Sequence, residues 1–422
     1  AERDRRRFPA RPLTLVESGR PCGGDMRVER LQLENYRGFA SLDVTFAATG
    51  PTVFIGENGS GKSSIMRALE AWIRQFDGVS GFESADVRIG AERFDLQLTN
   101  AVDGESFLWG ARSYNAHTFG VQERLTTPER STHGEERFNA LARAIGATRK
   151  AVARPRVEPI DDPKRIVVLR HLLDWFRRTE DLENEVRLND DPAHRNPELE
   201  AVRRALSTFA SALPDFTIGR PRFSRVGQWA NDGRGTFLLD KGDTTLGFDQ
   251  LSDGESFVIL LVADMARRLA EPRRSDDQPD PLQRPGILLI DEIDQHLHPR
   301  WQRAILPALG ATFPNVQVIA TTHSPTVVGS LPAANVVRLK DFQVVPTPHT
   351  YGRDSTTILE DVMGLPAHPT DIQRRLDDLA RLIDADDLRG ARAALDQLAD
   401  VLGADAPEVT RYDTTLALLG EG

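Results

Sequence analysis

The stretch Phe54-Ile-Gly-Glu-Asn-Gly-Ser-Gly-Lys-Ser-Ser64 limits what this chain can fold into more than any other. Val53, Phe54 and Ile55 read as the end of a buried strand, and Ile65-Met-Arg-Ala-Leu-Glu-Ala-Trp72 as a helix. Between them, Gly56-x-x-x-x-Gly61-Lys62-Ser63 matches a complete phosphate-binding loop. Such a loop wraps an anion in backbone N–H groups, which glycines permit, and the following helix adds a positive dipole end. Gly56, Glu57, Asn58, Gly59, Ser60, Gly61, Lys62, Ser63 and Ser64 are the expected phosphate contacts. Lys62 is expected to reach the β- and γ-phosphates, and the Ser63 hydroxyl to ligate Mg2+. A Gly-rich turn could match by chance, but the flanking strand and helix are those the loop requires. The pattern implies an α/β fold that binds a nucleoside triphosphate.

A second stretch has the same character. Ile287-Leu-Leu-Ile-Asp-Glu292 reads as a strand buried on both faces that ends in two carboxylates. Asp291 at such a strand end can hold Mg2+ through water, and Glu292 can orient and deprotonate an attacking water. Thr321-Thr-His-Ser324 closes the next buried strand, Val316–Ala320, and His323 could hydrogen-bond a γ-phosphate there. Leu251-Ser-Asp-Gly-Glu255 opens an apolar helix running from Ser256 to Ala270. Ser252, a close-approach glycine at 254 and the helix N-terminus can form a second anion site. Ser-Asp-Gly-Glu is equally good helix-capping chemistry.

Taken in order, residues 1–25 are Arg-, Pro- and Gly-rich without periodicity and are expected to be a disordered extension. Val28 to Tyr36 and Leu42–Phe46 read as a strand hairpin. Short alternating runs, 93–98 and 106–109, add strands up to residue 120. Residues 121–163 are polar, and their basic run 142–156 reads as a solvated surface with phosphate contact as the alternative. Ile166–Leu188 and Glu198–Leu213 have helical spacing, giving a mostly helical insertion over 121–230. Strand-like Gly235–Asp240 returns to the core, which closes with a final strand at Val336–Leu339 and bounds a second lobe, 231–345. The remainder, 346–422, is expected to be helical. Its residues 366–422 hold 12 acidic and 6 basic side chains, a net −6 that repels DNA.

Composition excludes several classes. A net charge of −10 argues against a generally basic surface, so nucleic acid could meet only a local patch. The single cysteine, Cys22, allows no internal disulfide and fits a reducing cytoplasm. No apolar run is long enough to cross a bilayer, so no membrane contact is expected.

Gly56–Ser64, Leu251–Glu255, Ile287–Glu292 and His323 resemble the Walker A, signature, Walker B and switch-histidine motifs of ABC-type ATPases. Asn35-Tyr-Arg-Gly-Phe39 resembles the opening strand of the RecF/SMC branch, which implies that Arg37 approaches the phosphates. Asp291-Glu-Ile-Asp-Gln-His-Leu-His-Pro299 and Thr321–Pro325 resemble OLD-type and related AAA ATPases. With residues 174–185 and 351–364, their order is similar to the PtuA-like ATPases of Septu and retron-associated anti-phage systems.

The resemblance implies an ABC-ATPase head: a mixed central sheet with flanking helices, an N-terminal antiparallel part, a helical lid and a small helical tail. The N-lobe, 26–120, would carry Walker A. It further implies ATP and Mg2+ as cofactors and a homodimer or higher oligomer in which Ser252 and Gly254 face the neighbour's ATP. The partner it implies is a separate HNH-type nuclease; a RecF-type DNA-repair ATPase without a nuclease, or a transporter's nucleotide-binding subunit, are the alternatives. Gln97 and Gln122 are the Q-loop candidates, no long heptad run occurs, and His296 and His298 read as structural rather than as a metal pair.

Overall fold

The structure, a computed structural model, describes residues 26–75, 81–102, 105–113, 121–126, 163–224, 236–271, 280–366 and 368–420. The extension 1–25, with Cys22, and the basic run 142–156 lie outside the described residues.

The chain opens with β1 (Met26–Tyr36) and β2 (Phe39–Thr45), then β3 (Thr52–Ile55) and α1 (Lys62–Gln75). β4 (Asp95–Val102), β5 (Glu105–Ser113) and β6 (Val121–Thr126) follow. After them come α2 (Pro163–Asn189), α3 (Pro197–Ala212), β7 (Arg222–Ser224), β8 (Thr236–Lys241) and β9 (Thr244–Gly247). The second half alternates: α4 (Asp253–Ala270), β10 (Gly286–Ile290), α5 (Pro299–Thr312), β11 (Val316–Thr321), α6 (Pro325–Val328) and β12 (Val336–Lys340). β13 (Gln343–Val345) and the helices α7 (Thr370–Asp384), α8 (Leu388–Leu402) and α9 (Pro407–Gly420) complete it.

Among the described residues, two five-stranded sheets organise these elements. The first is antiparallel, in the order β2-β1-β4-β5-β6. Its register sets Leu31 between Val44 and Leu98, and Leu33 between Leu42 and Leu96, so one face is apolar. The second has the order β10-β11-β3-β12-β13, parallel throughout except that β13 pairs antiparallel with β12. The strand Val336–Leu339 is therefore not the last one. β13 follows through a two-residue turn at Asp341 and Phe342, a pair without the Gly or Asn that usually signals such a turn.

The parallel strands alternate between two cores, as a strand with period two must when both faces are covered. Phe54, Ile287, Leu289 and Ile319 join α1 and the antiparallel sheet in one core. Val53, Ile55, Leu288, Ile290 and Val318 join α3, α4 and α5 in the other. The inserted helices are part of that second core: Leu199, Val202, Leu206 and Phe209 of α3 pack with Leu261, Met265 and Leu269 of α4. Buried Arg203 of α3 ties to α2 through Glu180 (2.7 Å) and Glu183 (2.9 Å). Helices α7–α9 bury a small apolar cluster of their own around Leu379, Leu395 and Leu398. The whole is an α/β fold with a mixed central sheet, helices on it and an added antiparallel layer. No helix among the described residues is long and apolar enough to cross a membrane.

Candidate functional site

Because β3, β10 and β11 run parallel and adjacent, their C-terminal ends deliver three loops to one edge of the sheet. The loop after β3 is 56–61. Its backbone demands glycine at Gly56 (φ +148°) and Gly61 (φ +105°), where a side chain would also collide with Leu339 O and the Phe39 ring respectively. Lys62 Nζ donates to Gly56 O (2.8 Å) and Glu57 O (3.0 Å), so the cation is wrapped inside its own loop. Burial pulls the Lys62 ammonium below its ordinary pKa, while Asp291, Glu292 and Asp294 favour the charged form. Ser60 Oγ is buried without a hydrogen-bond partner, and Ser63 at the start of α1 is exposed. Gly59 (φ +82°) has open space around its Cα, and Glu57 and Asn58 are exposed beside it. Ser64 caps the turn, its N–H on Gly61 O at 3.0 Å.

The loops after β10 and β11 are tied to each other through two threonines, Thr321 and Thr322, to which no motif assigns a role. Buried Thr321 Oγ1 donates to Asp291 Oδ1 (2.6 Å) and accepts from Glu292 N–H (2.8 Å), and Thr321 O accepts from Ile293 N–H (3.0 Å). Thr322 Oγ1 donates to Asp294 Oδ1 (2.5 Å), which also accepts from His323 N–H (3.2 Å). Thr322 N–H reaches across to Phe54 O (3.2 Å), joining this loop to β3. Glu292 itself has a left-handed backbone (φ +56°), a conformation that costs energy in a non-glycine residue and clusters at working sites. His323 is exposed at the same edge. Asp294 and Thr321 carry a faint sequence signal, the fourth position of Asp-Glu-Ile-Asp and the residue before Thr-His, but nothing local shows that they meet.

The stretch 251–255 forms a helix start. Ser252 is the N-cap of α4 in a reciprocal capping box with Glu255: Ser252 N–H and Oγ donate to Glu255 Oε2 at 2.9 and 2.8 Å. The helix thus begins at Asp253, three residues before the apolar run, as the capping reading requires. Burial alone would raise the Glu255 carboxyl, but hydrogen bonds from Lys241 and Ser252 outweigh it and hold the group below its ordinary pKa. Gly254 is needed inside this chain, because a methyl there would lie 2.5 Å from His296 O. The start of α4 therefore rests on the loop that follows Asp291 and Glu292. His296, also left-handed (φ +58°), faces Asp253 at 4.0 Å, and His298 N-caps α5 through Arg300 N–H.

Arg37 sits in the β1–β2 turn with φ +50°. Its Nε donates to Asp86 Oδ1 (2.7 Å) and its N–H to Asp86 O (2.8 Å), and Asp86 is wholly buried. Gln97 and Gln122 lie within β4 and β6 of the antiparallel sheet, opposite Gln32 and Arg112 respectively.

The Ser63 hydroxyl and the Asp291 carboxylate, exposed and half-buried respectively, are oxygen donors of the kind a small hard cation takes. Among the described residues no group of three or more His, Cys, Asp or Glu could hold a metal ion.

Two family models match, one described as an AAA ATPase domain at residues 26–102, the other as an AAA domain, putative AbiEii toxin, type IV TA system, at residues 123–329. The chain is 27% identical to the Retron Ec83 probable ATPase of Escherichia coli, over 82% of this chain and 78% of that one. It is 24% identical to the Retron Vc95 probable ATPase of Vibrio cholerae, over 79% and 78%. The Septu protein PtuA of Bacillus thuringiensis matches at 30% identity over 41% of this chain and 45% of its own length. Among solved structures, an Smc head bound to the C-winged helix domain of ScpA aligns with a TM-score of 0.49 at 17% identity, over 75% of this chain and 97% of that one. With a phosphate loop and two carboxylates on one sheet edge, the chain has the layout of an ATPase, matches two AAA-type domain models, and is similar to the retron probable ATPases and to Septu PtuA.

Proposed function

We propose that this chain hydrolyses ATP in a Mg2+-dependent site that a second copy completes, and that its nucleotide state governs a separate HNH-type nuclease in anti-phage defence. One observation carries the hydrolysis reading: the loops after β3, β10 and β11 share an edge, and Thr321 and Asp294 lock two of them together. The backbone of Gly56–Ser64 cradles the phosphates and Lys62 turns from its own carbonyls to their oxygens. Ser63 and Asp291 would hold Mg2+, which would supply charge neutralisation to the phosphates when bound. The Glu292 carboxylate takes a proton from water, the water oxygen attacks the γ-phosphorus, and ADP leaves with the electron pair of the broken P–O bond. His323 donates to the γ-phosphate, and Arg37 offers its Nη donors to the same charge.

Ser252 and Gly254 face the nucleotide of the neighbouring copy, whose own phosphate loop already has a helix of its own. The relatives named for retrons and Septu support the defence setting, and the single cysteine supports a cytoplasmic home. The test is Glu292→Gln: it should keep bound ATP, stop turnover and shift the protein to a dimer on sizing. Wild-type turnover in this variant overturns the assignment of the base. Expression with its chromosomal neighbours and native capture should bring down a stoichiometric nuclease. DNA without a nuclease would favour a repair ATPase instead.

A further inference from the structure

The turn between β12 and β13 carries the one bulky aromatic found at left-handed φ among the described residues. Asp341 has φ +51° and Phe342 φ +59°, positions that a tight hairpin usually fills with Asn and Gly. A phenylalanine there is strained, and strain of this kind persists only where the surroundings hold it. The Phe342 ring lies flush on Gly38, where any side chain would overlap it, and meets the Phe39 ring edge-on with centroids 5.4 Å apart. A methyl on Gly61 would lie 3.1 Å from Phe342 Cδ1 and would strike Phe39. Two residues before the turn, Leu339 O stands against Gly56. The β12–β13 hairpin thus touches the phosphate loop at its first and its last glycine. β12 is also the sheet neighbour of β3, from which the loop springs.

We infer that this hairpin sets the shape of the phosphate loop, with Phe342 a positioning residue that props Gly61 through ring contact. The inference rests on the reading of 56–64 as the nucleotide-binding loop. The strained ring keeps Gly61 at φ +105°, so that the loop's amides converge on one point instead of relaxing apart. Nothing in the residues 341–343 marks this role in the sequence, since Asp-Phe-Gln resembles no motif.

The experiment compares Phe342→Gly, Phe342→Ala and Phe342→Leu in the full chain. It measures the thermal midpoint, the ATP affinity and the affinity for inorganic triphosphate by competition. Glycine relieves the backbone strain, so Phe342→Gly should melt within a few degrees of wild type. Its affinities for ATP and triphosphate should fall together, by about tenfold, because the loop and not the base is disturbed. Phe342→Leu, with a bulky side chain, should recover part of that loss. Unchanged affinities with a lowered melting point would overturn the inference, as would a loss confined to ATP. Wild-type protein that binds neither probe would instead overturn the nucleotide reading itself.

Discussion

Replacing Gly254 by alanine separates two roles that one glycine could play. The new methyl would stand 2.5 Å from His296 O, whereas ordinary C···O contacts lie at about 3.3–3.6 Å. The loop holding His296 must therefore retreat by about 1 Å from the start of α4, on the scale of ordinary carbon–oxygen contacts. Overpacking of this kind costs about 1–3 kcal/mol, and replacing glycine in a helix returns about 0.5–1 kcal/mol. The net loss is small enough that the melting temperature should fall by only a few degrees. Turnover should suffer far more, because the displaced loop carries Asp291 and Glu292 at its root and a misplacement of about 1 Å can cost about 100-fold. Subunit mixing is the decisive assay. Ser252→Arg harms only the neighbour's site, so a 1:1 mixture with Lys62→Ala should recover about a quarter of wild-type turnover, one site in half of the dimers. Gly254→Ala also harms its own site through His296, so the same mixture should recover almost nothing. Equal recovery by the two variants would refute the contact between Gly254 and His296 as a functional one.

Thr321→Val removes the donor to Asp291 and leaves the part-buried Glu292 N–H unpaired, which costs about 1 kcal/mol, the low end for a buried group. A Mg2+ titration should show turnover requiring more metal than wild type. Asp86→Asn takes the charged anchor from Arg37, and Arg37→Ala should raise the KM for ATP by itself. The double variant should then match Arg37→Ala alone, and additive losses would show that the two act separately. Glu255, held below its ordinary value of 4.5, contributes stability above that pH and loses it as pH falls through the lowered folded value. Lys241→Met should therefore move the acid-unfolding midpoint, followed by circular dichroism, to higher pH.

The parts of the site that could be read from the sequence are those whose chemistry is local. A strand, a glycine loop and a helix occupy consecutive residues at 52–75, and four apolar residues before Asp291 announce a doubly buried strand. Ser252 and Glu255 are three residues apart, so their capping box was visible too, together with its tension against an anion-binding role. What could not be read depends on distant pairings. Thr321 meets Asp291 only because β10 and β11 are sheet neighbours. Asp86 lies 49 residues from Arg37, and its side chain has no pattern around it to mark a buried hub. The extra strand β13 is not legible in the sequence because Phe342 stands where a tight turn usually carries glycine. His296 and His298, suggestive as a pair, prove to face different ways, one to Asp253 and one to the start of α5.

Helix α1 has protein on almost every side. Ile65, Met66, Ala68, Leu69, Ala71 and Trp72 are all fully buried between the antiparallel sheet and the parallel one. A segment so enclosed has no route to local opening, so its amides should exchange with solvent only when the whole domain unfolds. In the proposed function the phosphates dock at the first turn of this helix. Their binding energy therefore enters at the least compliant point of the molecule, and ligand stabilisation should register as slower exchange across the enclosed core. An outer strand such as β13, which can open locally, would keep the same tempo in the empty and loaded forms.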